Sequence, residues 1–333
     1  VSFQSQTSLR LPLPRLVAAA AAAIALALLA APRAGAEFSD YGLESVTAST
    51  SSPLAAAHPN FLLGFTVKTD PASATDAQGL HKPYARTRDL TIELPPGLIG
   101  NPNSVQRCTA QQFVSFTIGG QGCPQDTQVG VTRLRLYGFN KVLVEPIFNM
   151  ETPSNDTVAR LGFYAAKLAN YISVRVRSGS DYGLTARLEG LQANELLVSS
   201  NTELWGVPAD PSHNTQRLTP EEAFPIGSSE SPPRASGLAP EPFMTNPTAC
   251  TGPLAISVSA DSYQEPGKFA TLGTAMAGMS GCGEVDFEPS FTALPTSREA
   301  GMPTGLDVNL TIPQNESPYG RGGAPRRRGP PPP

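Results

Sequence analysis

The sequence predicts an all-β fold: a disulfide-stapled β-sandwich, Ig-like or related, with an N-terminal signal peptide and a disordered C-terminal tail. Three observations point there. The 333 residues include 34 Pro and 30 Gly, a load that breaks helices and favours short strands joined by turns. Apolar and polar residues alternate in short runs bounded by Gly, Pro or Asn, the rhythm of a sandwich rather than of βαβ units. Four cysteines, an even number, follow an export-type leader. The 40 % apolar share is enough to form a core.

Residues 1–36 read as an address. Arg10 and Arg15 precede an alanine-rich apolar run from Leu16 to Ala31, followed by Pro32, Arg33 and Ala34-Gly35-Ala36. A basic stretch, a short apolar core and an A-x-A site make a secretory signal peptide cleaved after Ala36. A membrane anchor needs about twenty residues of stronger hydrophobicity. The expected product is therefore secreted or extracellular, with no stable membrane insertion after cleavage. Beyond residue 36 the chain holds 21 basic and 28 acidic residues, a net charge of −7. That balance disfavours nucleic acid and acidic lipid as partners.

Residues 37–60, rich in Ser, Thr and Ala, read as a flexible arm. From 61 to 286 the pattern is that of one β-sandwich unit. Phe61–Thr69 and Leu90–Leu94 alternate as strands, the second stopping at Pro95-Pro96-Gly97. Val129–Tyr137 and Val142–Phe148 form a hairpin around Gly138–Asn140, and further strands are expected at 157–165, 172–177, 182–189 and 195–207. One short helix fits Thr109–Phe116. A Pro-rich loop occupies about 208–247, and strands resume at 254–259 and 285–292.

Cys108, Cys123, Cys250 and Cys282 allow three pairings. Their spacing points to the local pairs, Cys108 with Cys123 and Cys250 with Cys282. No C-x-x-C occurs and the three His are scattered, so neither a metal site nor a cofactor is expected.

Phe65-Thr66, Pro71-Ala72-Ser73 and Asp89–Pro95 find an echo in Phe291-Thr292, Pro295-Thr296-Ser297 and Asp307–Pro313. The same order with a shorter connector reads as the start of a second, truncated repeat unit at 287–315. Residues 316–333 are an Arg/Gly/Pro tail without apolar periodicity. The abrupt change reads as truncation or frame shift of a longer repeat protein, with a basic polyproline-type tail as the alternative.

Catalytic signatures are missing. Gly278-Met279-Ser280-Gly281-Cys282 fails the G-x-S-x-G pattern at its last position, and zinc-protease, phosphate-loop and dinucleotide fingerprints do not occur. No catalytic residue is therefore assigned. One cluster holds chemistry: Trp205, the sole Trp, stands within nine residues of Asp210 and His213 at a strand exit. Trp205 could be a stacking platform for a sugar, with Asp210 and His213 as polar contacts. The alternative is a core Trp before an Asp-Pro turn. Paired carboxylates for glycoside hydrolysis could come from Glu93, Glu145, Glu151, Asp181, Glu189 or Asp210.

The run Leu90–Pro102, then Cys108, Cys123-Pro124, Leu204–His213 and Asn246–Cys250, resembles an uncharacterised family of secreted, repeat-containing, β-rich proteins from soil actinobacteria. The resemblance spans roughly residues 40–315. It implies export, β architecture and tandem modules, and it brings no activity, ligand or catalytic residue with it. The expected function is that of an exported structural or adhesive protein of the cell envelope, without catalytic activity, its partner a cell-wall glycan or other envelope component. The rival is a secreted carbohydrate-binding module or glycan-active enzyme centred near Trp205. Exposure of the indole discriminates between them.

Overall fold

A computed structural model describes residues 40–179, 181–192, 196–223, 233–285, 289–312 and 317–320. The expected signal peptide (1–36) and the tail beyond 320 lie outside these residues. Alternating runs form β1 (Leu43–Thr50), β2 (Phe61–Val67) and β3 (Thr87–Glu93), then the two-residue β4 (Ile99–Gly100). The hairpin of β5 (Gln128–Tyr137) and β6 (Leu143–Met150) leads into β7 (Ala159–Ala165), β8 (Leu168–Val176), β9 (Leu184–Leu188) and β10 (Leu196–Leu204). The short β11 (Met244–Thr245) precedes β12 (Leu254–Ser262), β13 (Ala270–Met276), β14 (Ser290–Pro295) and β15 (Leu306–Thr311).

Eleven of these strands make one antiparallel sheet in the order β1-β2-β10-β5-β6-β7-β8-β9-β3-β12-β13. The sheet rolls on itself. Just past its two edge strands, Leu54 and Ser280 form a parallel bridge, with Ala55 N–H donating to Ser280 O at 2.9 Å and Ser280 N–H to Pro53 O at 2.9 Å. The inward faces close over a core that includes Phe61, Phe65, Leu134, Phe163, Leu188 and Val258. The all-β expectation holds. The strands belong to one rolled ladder rather than to the two facing sheets of an Ig-type sandwich, and its two edge strands, β1 and β13, lie beside each other without a shared ladder among the described residues.

The expected flexible arm is corrected over 43–50, which form β1 in register with β2, Val46 opposite Phe65. Ser and Thr suit the outer face of a strand, and Leu43 and Val46 suffice to anchor the inner one. β13 also escaped the sequence reading, because its Ala, Thr and Gly residues alternate in exposure without alternating in hydrophobicity.

Both disulfides are the local pairs, Cys108–Cys123 and Cys250–Cys282. The first brackets helix α1 (Ala110–Ser115), whose start is a capping box: Gln112 N–H donates to the Thr109 hydroxyl at 3.1 Å and Thr109 N–H to Gln112 Oε1 at 3.0 Å. This helix lays Phe113 into a second apolar cluster with Phe116, Phe148, Met150 and Tyr164. Much of the Pro-rich stretch is packed as well, since Leu218, Ala223, Phe243, Met244 and Asn246 are all buried.

Candidate functional site

Where β10 ends, the chain must turn against the β1–β2 connection. Gly206 makes the close approach possible: a Cβ there would stand 2.0 Å from the His58 carbonyl oxygen. Its N–H donates to Asn60 Oδ1 at 2.9 Å, and its carbonyl accepts from Phe243 N–H at 2.7 Å. These bonds tie three distant segments together beside a groove of about 470 Å³. His58, Asn60, Asp210, His213 and Tyr319 line it.

Asp210 caps the 3-10 helix Pro211–Gln216, its Oδ1 accepting from Ser212 N–H at 2.8 Å. Burial tends to raise this carboxyl, but bonds from Ser212 and the Tyr319 hydroxyl and the nearby His213 outweigh it and hold the group below its usual range. His213 follows one turn later and is buried, 4 % exposed. Its ring stacks on Trp205, with centroids 4.5 Å apart and planes 8° from parallel. The Arg217 guanidinium stands 5.2 Å from the indole centroid and donates to Pro208 O. Burial takes the His213 imidazole down to about 4, against a raising influence from Asp210 and a lowering one from Arg217.

Of the three candidate contacts, Asp210 and His213 reach the groove together. Trp205 does not. Its indole is 0 % exposed, beneath the segment that Asp210 and Arg217 pin down, so it is unavailable as a surface platform. The exposed aromatic at the groove is Tyr319, 66 % exposed beside Asp210. His58, Asn60 and Tyr319 lie about 150 or about 110 residues from the cluster in sequence, and no local pattern could have joined them to it. His58 Nδ1 lies 3.1 Å from Met244 O and 3.0 Å from Thr245 Oγ1. Desolvation lowers its pKa, opposed by the Met244 carbonyl.

No family model, curated protein or solved structure matches the chain.

The site's chemistry thus rests on its geometry. The Asp210 carboxylate is engaged in capping, and among the described residues the His213 ring makes no hydrogen bond that would orient it as a general base. The carboxylates considered for glycoside hydrolysis are dispersed in role. Glu145 is fully buried inside the sheet, while Asp181 is bound by Arg177 at 2.7 Å and held at about 2, first by that guanidinium and then by the Gly183 N–H. No group of three metal-ligating side chains gathers among the described residues. The groove's described lining is mixed polar and apolar, with His58, Asn60, Asp210, Ser212 and His213 among its polar side chains beside Tyr319.

Proposed function

We propose that this chain is exported and serves a structural or adhesive role at the cell envelope, without catalytic activity. The observation that carries this reading is the β14–β15 hairpin, a separate two-stranded ribbon whose twelve residues are all exposed. Phe291, Leu294, Leu306, Val308 and Leu310 are each more than half exposed. A lone hairpin is marginal in water, and an exposed apolar patch of this kind marks a surface that meets a partner. Two disulfides suit an oxidising compartment outside the cytoplasm, and no helix among the described residues is long and apolar enough to cross a membrane.

The ribbon also supports the repeat reading of 287–315. Beyond β2 the chain turns back on itself, Asp70 N–H donating to Lys82 O at 2.8 Å, before β2 and β3 diverge into distant parts of the sheet. Thr296 N–H donates to Gly305 O at 3.0 Å at the matching place beyond β14.

The test is co-sedimentation of the secreted chain with purified cell-wall sacculi. The full chain is expected in the pellet and a variant lacking 289–312 in the supernatant, with the β-sheet circular dichroism of both intact. Equal sedimentation, or none, defeats the adhesive reading. Intact mass of the secreted product should place its first residue at Glu37; retention of 1–36 refutes the signal peptide. The groove favours a second reading, a glycan-binding module with Tyr319 in place of Trp205 as the stacking ring. Glycan-array binding lost in both Asp210→Ala and Tyr319→Ala would select it.

A further inference from the structure

The β14–β15 ribbon has two unlike faces. Its register sets Phe291 opposite Leu310, Ala293 opposite Val308 and Pro295 opposite Leu306. Residues directly opposite in an antiparallel pair share a face, as do alternate residues along each strand. These six side chains therefore form one wholly apolar face. The other face carries Ser290, Thr292, Asp307, Asn309 and Thr311, with Leu294 as its one apolar member. Such alternation belongs to a sheet with one face buried and the other wet. Here every residue of both strands is exposed, and among the described residues nothing of this chain covers the apolar face.

The chemistry of that face selects its occupant. It offers no side-chain donor or acceptor to the hydroxyls of a glycan or to a charged polymer, so its complement is another dry apolar surface. The identical face of a second copy is such a surface, and it meets itself as a two-fold contact requires. Phe291, Leu306, Val308 and Leu310 are each more than half exposed. With Ala293 and Pro295 they present roughly 500 Å² per copy, so a pair buries about 1,000 Å², the least a specific interface needs. Stacking also supplies what the ribbon lacks alone. Two strands are marginal in water, whereas four strands in two layers enclose a small core.

We propose that two copies of this chain associate through their β14–β15 ribbons, apolar face against apolar face, in an isologous dimer. This rests on the reading of the ribbon as a contact surface and names its partner. Contact with the cell wall then belongs to the rest of each chain, and pairing makes it bivalent, which strengthens attachment by avidity without any new contact.

The test is sedimentation velocity of the full chain without wall material. An interface of this size is weak, and monomer is expected to give way to dimer between about 1 and 100 μM. Val308→Lys sets a charge in the middle of the apolar face and should weaken the dimer by at least about tenfold. Thr292→Lys puts the same charge on the opposite face and should leave association unchanged. The variant lacking 289–312 should be monomeric at every concentration. A full chain that stays monomeric, a deletion variant that still dimerises, or equal weakening by the two lysines overturns the proposal. A monomer that floats with neutral phosphatidylcholine vesicles overturns it as well, because the face would then meet lipid. The sacculi assay separates this outcome from the broader reading: a dimer that stays in the supernatant refutes adhesion alone, and a monomer that pellets refutes the dimer alone.

Discussion

Acid should weaken this fold in part through the His213 imidazole, and the sole tryptophan is placed to report it. His213 lies against Trp205 at 4.5 Å and is held at about 4 instead of 6.5. The folded state therefore keeps His213 neutral where the unfolded chain already takes up a proton. Stability is fully present above pH 6.5 and is lost as the pH falls from there to about 4. The interval of 2.5 pH units at ~1.36 kcal/mol each corresponds to about 3 kcal/mol. Asp210 and Arg217 are the charged groups facing the ring; they act in opposite directions, which leaves desolvation in command. The perturbation is His213→Phe, which keeps a flat ring against the indole and removes the proton site. Urea unfolding followed by Trp205 fluorescence at pH 7 and pH 4 gives the free energies. Wild type should lose about 3 kcal/mol more than His213→Phe across this range. Carboxylates other than Asp210, which His213 itself influences, titrate alike in both proteins and cancel in the difference. Parallel losses in the two proteins would refute the reasoning, because the ring would then titrate equally in the folded and unfolded states.

Glu145→Leu should raise stability at pH 7 by about 1–3 kcal/mol, since it removes an unpartnered buried group. Because burial raises the folded-state pKa of Glu145, its burden grows as pH rises above about 4.3, so the gain should shrink when urea unfolding is repeated at pH 4. Trp205→Ala should cost about 3–5 kcal/mol, measured by circular dichroism against urea; a neutral substitution would contradict the buried stack. Non-reducing peptide mapping should link Cys108 to Cys123 and Cys250 to Cys282. Replacing either pair by Ala should cost about 3 to 4 kcal/mol on the loop-entropy scale, more for the separation of 32 residues than for that of 15.

Much of the fold was legible because its signals are local. β5 and β6 follow from alternation and a Gly-bounded turn, and α1 falls in the short stretch expected between the first two cysteines, where the structure adds its capping box. The cysteine pairs followed from spacing. β1 and β13 were missed because an edge strand with few apolar anchors has weak alternation, and only its pairing partner makes it a strand. The site was half legible. Asp210 and His213 were singled out by proximity to the Trp. The burial of that Trp depends on Arg217, which is itself 1 % exposed and packs over the indole, and an arginine in a Pro-rich stretch gives no sign of facing inward. His58 and Asn60 reach the groove through Gly206, a contact across about 150 residues.

Strand β6 shows how one segment serves two compartments. All eight of its residues are buried, which a strand achieves only when both faces are covered. Leu143, Glu145 and Ile147 face the main core, while Phe148 and Met150 belong to the outer cluster under α1 and the Cys108–Cys123 bridge. Asn149 secures the covering loop, its Nδ2 donating to the carbonyls of Pro102 and Val105 at 3.0 Å each. A proline in a central strand should cost a ladder bond, yet Pro146 sits there. It is tolerated because β6 has already parted from β7 at that point, the shared ladder running only over Phe148–Met150. On that side Pro146 behaves as an edge residue with no bond to lose, and the helical turn Pro220–Ala223 packs against the strand.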